Sequence, residues 1–399
     1  MRIRSENYNL TFLACFCAYV VQATVNTFSP LLFVTFQKSF GVSLEKISLL
    51  ITINFTVQLL VDLLCAGIAD RIGYRVLAVG AHLLTAAGLA ALALLPDVCA
   101  EPFVGLVIAV VLYAAGGGMI EVVISPIIAA CPGERKSAAM NLLHSFYCWG
   151  LMFAIVVSTL FFRCFGIENW RVLSLLWAII PTVNGCLFLF VPIAPLTSED
   201  APTMPLRSLL REQMFWLLFF IMFCAGAAEQ AVVQWLSAMA EVALRVPKAV
   251  GDLAGPCAFA LLMGVARVMV VRGKQTNMER LMLRRSILCA ASYLLISLVP
   301  VPGINLAGCA LCGFAVSIIW PSTLSICTNY LPRGGTMLFA LLALSGDIGC
   351  SLGPTVVGFA AERLGGDLKR GVLSGIVFAL GLIVGMALLL RRKARTRPL

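Results

Sequence analysis

The chain has 399 residues, 61% of them hydrophobic and only 12% charged, with a mean hydropathy of +0.98. A soluble domain carries about 25% charged residues, so a water-facing enzyme of two or three domains is excluded. The net charge of +10 and pI near 9.0 would suit a polyanionic partner, unless the charges are sorted by the two sides of a membrane.

Twelve apolar stretches recur along the chain, each long enough to cross a hydrocarbon core of about 30 Å. The first, 9–36, is of full spanning length and lacks a small-residue cleavage site, so it reads as a membrane helix and not a signal peptide. It carries Gln22 and Asn26 one turn apart. The second, 44–69, repeats that spacing with Asn54, Gln58 and Asp62, and runs into Gly67-Ile68-Ala69-Asp70-Arg71-Ile72-Gly73-Tyr74-Arg75. The third, 76–95, holds His82 with no acid nearby, which reads as a packing residue. The fourth, 103–130, places Glu121 after Gly116-Gly117-Gly118. The fifth, 140–162, opens on Asn141 and His144, followed by Phe146, Tyr147 and Trp149.

The sixth span, 170–194, ends among prolines, and the connector to Arg211 is the longest in the chain. It divides the sequence into an N-terminal bundle (1–194), a cytoplasmic linker (195–212) and a C-terminal bundle with a short basic tail (213–399). The seventh span, 213–240, carries Glu229, Gln230, Gln234 and Trp235. The eighth to twelfth follow at 248–270, 285–300, 304–330, 337–360 and 371–390, with Trp320-Pro321 in the tenth and Asp347 between Gly346 and Gly349 in the eleventh. A weak internal repeat joins the halves. Gly67-Ile68-Ala69-Asp70 and Gly264-Val265-Ala266-Arg267 stand 197 residues apart, and Ser125-Pro126 and Trp320-Pro321 stand 195 apart. Repeated halves with helix breakers at matching positions are a transporter pattern.

With the N-terminus inside, 20 of the 29 basic residues fall on inner segments, Arg267 and Arg285 among them, and nine on outer ones. That asymmetry puts both termini in the cytoplasm and removes nucleic acid as a partner. Arg391-Arg392-Lys393 then reads as an anchor at the anionic inner leaflet. Most of the fifteen cysteines lie in apolar spans, and Cys309-x-x-Cys312 has no second ligand pair, so neither a metal nor any cofactor is expected.

Burying a charge in a membrane helix costs about 2.5–3.5 kcal/mol on insertion scales, which singles out Asp62, Glu121, Glu229 and Asp347. Glu121, among Met119, Ile120, Val122 and Val123, either takes up and releases a proton or pairs with a polar group on another helix. The stripes of Gln22, Asn26, Asn54, Gln58, Asn141, His144, Glu229, Gln230, Gln234 and Trp235, with Trp320 at a kink, either glue helices together or line a midplane cavity for a polar solute. His144 has three readings, as proton relay, solute donor or satisfied packing group, and the last weighs most. Asp347 fits helix packing near a gate. In the loop after the second span, Gly67 permits close approach, Asp70 suits a helix N-terminus, Gly73 permits a tight turn, and Arg71 and Arg75 suit acids or lipid phosphate.

The segment from Gly67 to Arg75 resembles the glycine–aspartate–arginine signature of the major facilitator superfamily, with Tyr74 before the final Arg75. Gly118 to Glu121, Asn141-Leu142-Leu143-His144-Ser145-Phe146-Tyr147, and Gly226 to Trp235 around Glu229 resemble the fucose/glucose proton-symporter branch. That branch commonly closes its eighth helix on Gly-Arg, where this chain has Ala266-Arg267. The resemblance implies an all-α fold of twelve transmembrane helices in two pseudo-symmetric six-helix bundles. It implies a gate at Gly67, Asp70, Arg71, Gly73 and Arg75 with Asp347 on the eleventh helix, and a proton site at Glu121. The branch's acid in the first helix is missing, with only Gln22 and Asn26 there.

The expected function is therefore secondary active transport by alternating access, as proton-coupled uptake of a sugar or similar polar neutral solute. The expected protein is a monomer that spans a plasma (bacterial inner) membrane many times and whose other partners are protons and lipid. A drug or metabolite antiporter comes second, because the fourth span has no arginine and the fifth lacks the glycine–proline pattern of that class. A non-transporting sensor comes third, since no added cytoplasmic domain is visible. No nucleophile–base pair or nucleotide loop supports an enzyme.

Overall fold

A computed structural model describes residues 8–131, 136–194, 205–272 and 277–396, and among these the regular structure is helical throughout. A backbone inside hydrocarbon must satisfy its own hydrogen bonds, and a helix does so within one segment. Among the described residues, twelve helices are long and apolar enough to span. In the N-terminal half these are α1 (Asn9–Phe40), α2 (Leu44–Ile72), α3 (Tyr74–Val98), α4 (Pro102–Ala130), α5 (Lys136–Phe165) and α6 (Ile167–Phe190). In the C-terminal half they are α7 (Gln213–Ala243), α8 (Lys248–Val270), α9 (Met278–Leu298), α10 (Pro302–Tyr330), α11 (Gly335–Arg363) and α12 (Leu368–Lys393). The chain is thus a multi-pass membrane protein.

Local chemistry sets the boundaries. Pro102 and Pro302 open α4 and α10, where a missing N–H costs nothing. Gly41, at φ 64°, ends α1 and returns its N–H to the Gln37 carbonyl. Several expected boundaries move by a few residues, and two of the shifts have a visible cause. Helix α6 stops at Phe190, four residues early, where Val191 turns extended. Helix α9 begins at Met278, seven residues before the expected start at 285. Its first turns carry Glu279, Arg280, Arg284 and Arg285, which suppress hydropathy although the backbone is helical. Asn277 caps it by accepting the Arg280 N–H at 3.2 Å.

Contacts divide the chain into two compact units, Met1–Val42 with Ile53–Ser198 and Ser43–Thr52 with Glu199–Leu399. In the first unit, an apolar cluster built from α1 to α6 surrounds Ile120, Val123, Ile124 and Ile127 of α4. Phe16 and Phe146 stack at 4.5 Å and 6° between α1 and α5. In the second, α7 and α11 share a glycine seam. A Cβ at Gly226 would strike the Gly346 backbone, and one at Gly349 or Gly353 would strike the backbone of Phe223 or Ala227. The first turns of α2 join this unit through a hydrogen bond between the Thr52 and Thr355 hydroxyls.

Candidate functional site

In the N-terminal unit the polar stripes converge. Asn26 of α1 is the hub: its Oδ1 accepts from Asn54 Nδ2 at 3.2 Å and Gln58 Nε2 at 2.8 Å, and its Nδ2 donates to the Tyr147 hydroxyl at 3.3 Å. The i,i+4 spacing on α2 makes this possible, because Asn54 and Gln58 share one face. One turn earlier on α1, Gln22 Nε2 donates to Glu121 Oε2 at 2.7 Å. Gln22, Asn26, Asn54 and Gln58 are all more than nine-tenths buried.

Helices α2 and α4 meet at Gly118, where a Cβ would lie 2.8 Å from both Asp62 Oδ1 and the Gln58 carbonyl. Asp62 therefore reaches the α4 backbone three residues from Glu121. Tyr19 of α1 shares a 3.0 Å hydrogen bond with Ser125, one turn beyond Glu121. Tyr19, Ser125 and Tyr147 are polar partners that the stripes alone did not reveal. The side chains of Asn141 and His144 lie outside the described residues.

His82 is a structural residue. It is fully buried, with Nδ1 2.7 Å from the Ala78 carbonyl and Nε2 2.8 Å from Asn184 Nδ2. One neutral tautomer, with the proton on Nδ1, satisfies both contacts. Asn184 also donates to the Ala14 carbonyl at 3.0 Å, which joins α1, α3 and α6.

In the C-terminal unit, α7 breaks into a turn at Gln234–Trp235 and then a wider helical turn over Met239–Ala243. Gln234 Nε2 donates to Gln230 Oε1 at 2.9 Å, and Gln230 Nε2 lies 3.5 Å from Glu229 Oε1. Trp235, expected to line the site, is fully buried and donates its indole N–H to the Pro354 carbonyl at 2.9 Å. It serves the packing of α7 on α11. The Trp320 ring lies against Gly346, beside the half-buried Asp347.

Helix α10 breaks at Ser317–Ile318 because Pro321 has no N–H to offer the Ser317 carbonyl four residues back. Arg267 of α8 supplies a donor instead, with Nε 3.1 Å from that oxygen. Arg285 of α9 donates to the Phe314 carbonyl at 2.9 Å, with its guanidinium 3.4 Å above the Phe314 ring. Arg267 and Arg285, counted on inner segments, lie within the helices long and apolar enough to span, and both donate to the α10 backbone. The reckoning of four in-span acids was also short. Asp252 of α8, 1% exposed, accepts from Ser237 at 2.5 Å and pairs with Lys248 at 3.2 Å. Glu279 of α9 pairs with Lys393 at 2.5 Å and accepts from Tyr330 at 3.0 Å. Lys393 thus has a partner within the protein, Glu279.

The loop after α2 is a one-residue turn at Gly73, whose φ of 92° is open to glycine and strained for other residues. Arg75 donates to the Phe188 and Leu189 carbonyls at 2.7 Å and to Val191 at 2.8 Å. These are carbonyls at the end of α6, where a cation is favourable, so Arg75 caps its own unit. Arg71 is exposed, and the surroundings of Gly67 and the side chain of Asp70 lie outside what the structure describes. Among the described residues no three His, Cys, Asp or Glu side chains gather as a metal-binding group.

A search of curated proteins finds no significant match. Among solved structures, a bacterial homolog of the human lysosomal transporter Spinster, inward-facing and occupied, superposes with a TM-score of 0.72 at 15% identity, over 96% of each chain. The E. coli fucose:proton symporter FucP gives 0.64 at 16% identity, covering 96% of this chain and 98% of that one. FucP in the outward conformation gives 0.62 at 15%, covering 96% and 99%. Identities of this size establish a shared fold. The sequence profile of the Major Facilitator Superfamily matches residues 11–354. With twelve spanning helices and that match across most of its length, the chain belongs to the Major Facilitator Superfamily, a family of small-molecule transporters and not of enzymes.

Proposed function

We propose that this transporter couples uptake of a sugar or similar polar neutral solute to proton entry, with Glu121 as the proton carrier. The observation that carries the reading is the 2.7 Å hydrogen bond from Gln22 to Glu121 beside the Asn26 hub. Carboxamides offer donors and acceptors on one group, which suits a ligand made of hydroxyls. Gln22 stands one helical turn from Asn26, so proton and solute act on adjacent side chains of the same helix. A ligand shifts an equilibrium only through its different affinity for the two states, and Glu121 must accordingly be hydrated differently when the transporter faces each side. Gln230, Gln234 and Glu229 add the same chemistry in the C-terminal unit. The protein acts as a monomer in a bacterial inner membrane, with both termini cytoplasmic. Its two bundles are 1–194 and 213–399, joined by a cytoplasmic linker at 195–212. His144 and Asn141 belong to the solute site, and Asp70 and Arg71 hold the inner gate.

In proteoliposomes, Glu121→Gln abolishes pH-driven accumulation while counterflow exchange stays within about threefold of the parent, since exchange needs no net proton release. Accumulation that survives unchanged overturns Glu121 as carrier. Thermal-shift screening against sugars, nucleosides, amino acids and lipophilic cations tests the solute class. Stabilisation by lipophilic cations alone overturns it in favour of an exporter.

A further inference from the structure

Resting on the preceding reading that the Asn26 hub lines a solute site, we infer that Asn54 selects a hydrogen-bond donor on the solute. Its side-chain oxygen accepts a hydroxyl or N–H group of the ligand, and the hub holds it in that role.

The Asn26 oxygen takes N–H groups from Asn54 at 3.2 Å and from Gln58 at 2.8 Å. A carboxamide carries its oxygen and nitrogen on opposite edges, so donating to Asn26 turns the Asn54 oxygen away from the hub. Turning the Asn54 group over in place would set oxygen against oxygen with no proton between them. The outward oxygen is buried and meets no donor among the described residues. Buried polar atoms are nearly always partnered, and an acceptor withdrawn from water without a donor is costly.

Asn305 of α10 shows what a structural asparagine looks like. Its oxygen also lacks a donor among the described residues, but its amide donates to the Leu295, Ile296 and Val299 carbonyls at 2.9, 3.0 and 2.8 Å. Those bonds close the end of α9 and account for the residue without a ligand. Asn54 gives one longer hydrogen bond, to an oxygen that Gln58 already serves. An apolar group of the same size in its place would therefore orphan nothing on Asn26. What Asn54 adds is an acceptor beside Gln58 and Asn26, and a solute hydroxyl can fill it. An ether, ketone or carboxylate oxygen cannot. A site built around such a group rejects a ligand that lacks the matching donor.

Asn54→Leu, Asn54→Thr and Asn26→Leu are made in the full-length protein, and thermal midpoints are first read without solute. Asn54→Leu should hold or raise the midpoint, because it removes an unpaired acceptor, while Asn26→Leu should lower it. An Asn54→Leu midpoint that falls as far as that of Asn26→Leu makes Asn54 structural and overturns the inference. D-glucose and D-galactose are then the probes, each with its monodeoxy and monodeoxyfluoro analogues, read as the concentration giving half the maximal thermal shift. In the parent, deoxygenation or fluorination at one ring position should raise that concentration at least about tenfold. Asn54→Leu should weaken the unmodified sugar by a similar factor, and the analogues at that position should bind it no worse than the sugar does. Asn54→Thr, whose hydroxyl can accept, should fall between the two. An analogue penalty that persists in Asn54→Leu places the partner elsewhere and overturns the inference. So does a position where fluorine is tolerated and hydrogen is not, since fluorine accepts but does not donate. If sugars stabilise the parent and Asn54→Leu equally, the sugar reading stands and the role of Asn54 fails. If neither sugar shifts the parent, the solute class fails, and the same comparison on whichever nucleoside or amino acid does shift it decides Asn54.

Discussion

Asn26 shows how a single amide can organise three helices. Its carbonyl oxygen has two lone pairs, and the structure fills both from α2 while the amide group turns to Tyr147 of α5. Asn26→Ala leaves two buried N–H groups without an acceptor, at about 1–3 kcal/mol each. The expected outcome is a lower thermal midpoint together with at least a tenfold loss of uptake, and a variant that keeps both would remove Asn26 from the site. The spacing of Gln22, Asn26, Asn54 and Gln58 was legible in the sequence, because i,i+4 places residues on one face. Their partners were not. Gln22 and Glu121 are 99 residues apart, and Asn26 and Tyr147 are 121 apart. Trp235 stands beside two glutamines in sequence, yet its N–H is spent on the Pro354 carbonyl, 119 residues away.

At the scale of the element, breaks and seams matter more than helix propensity. Hydropathy locates spans because hydrocarbon admits little else, and it fails where a helix begins with charges, as α9 does at Met278. Two glycines provide a paired test of the packing argument. A side chain at Gly349 would meet the Phe223 and Ala227 backbone, whereas at Gly303, near the start of α10, it would meet nothing within 4 Å. Gly349→Val should therefore destabilise the protein by about 1–3 kcal/mol or more, as overpacking does. Gly303→Ala should be neutral or stabilising by up to about 1 kcal/mol. Thermal midpoints of the two variants decide it, and equal shifts would mean that the α7–α11 seam is not close-packed. Prolines in the sequence announced an interruption in α10. Only the fold shows that arginines from α8 and α9 satisfy it.

For the whole molecule, the sorting of charge by side predicts that a fluorescent protein fused after Leu399 is bright in a bacterial host, while alkaline phosphatase at the same point is inactive. The reverse pattern would place the C-terminus outside. The sorting remains useful even though some of its members do other work. Arg75 caps α6, Arg267 and Arg285 hold α10, and Lys393 meets Glu279 across 114 residues of sequence. By itself the sequence determined that the chain crosses a membrane twelve times as helices, because the demands of hydrocarbon on the backbone and side chains are local and can be read in a window of about 20 residues. Tertiary structure alone decided which polar groups inside those helices find one another, and therefore which charges are buried as pairs. Such pairs answer to neighbours in space, and no window along the chain contains both partners.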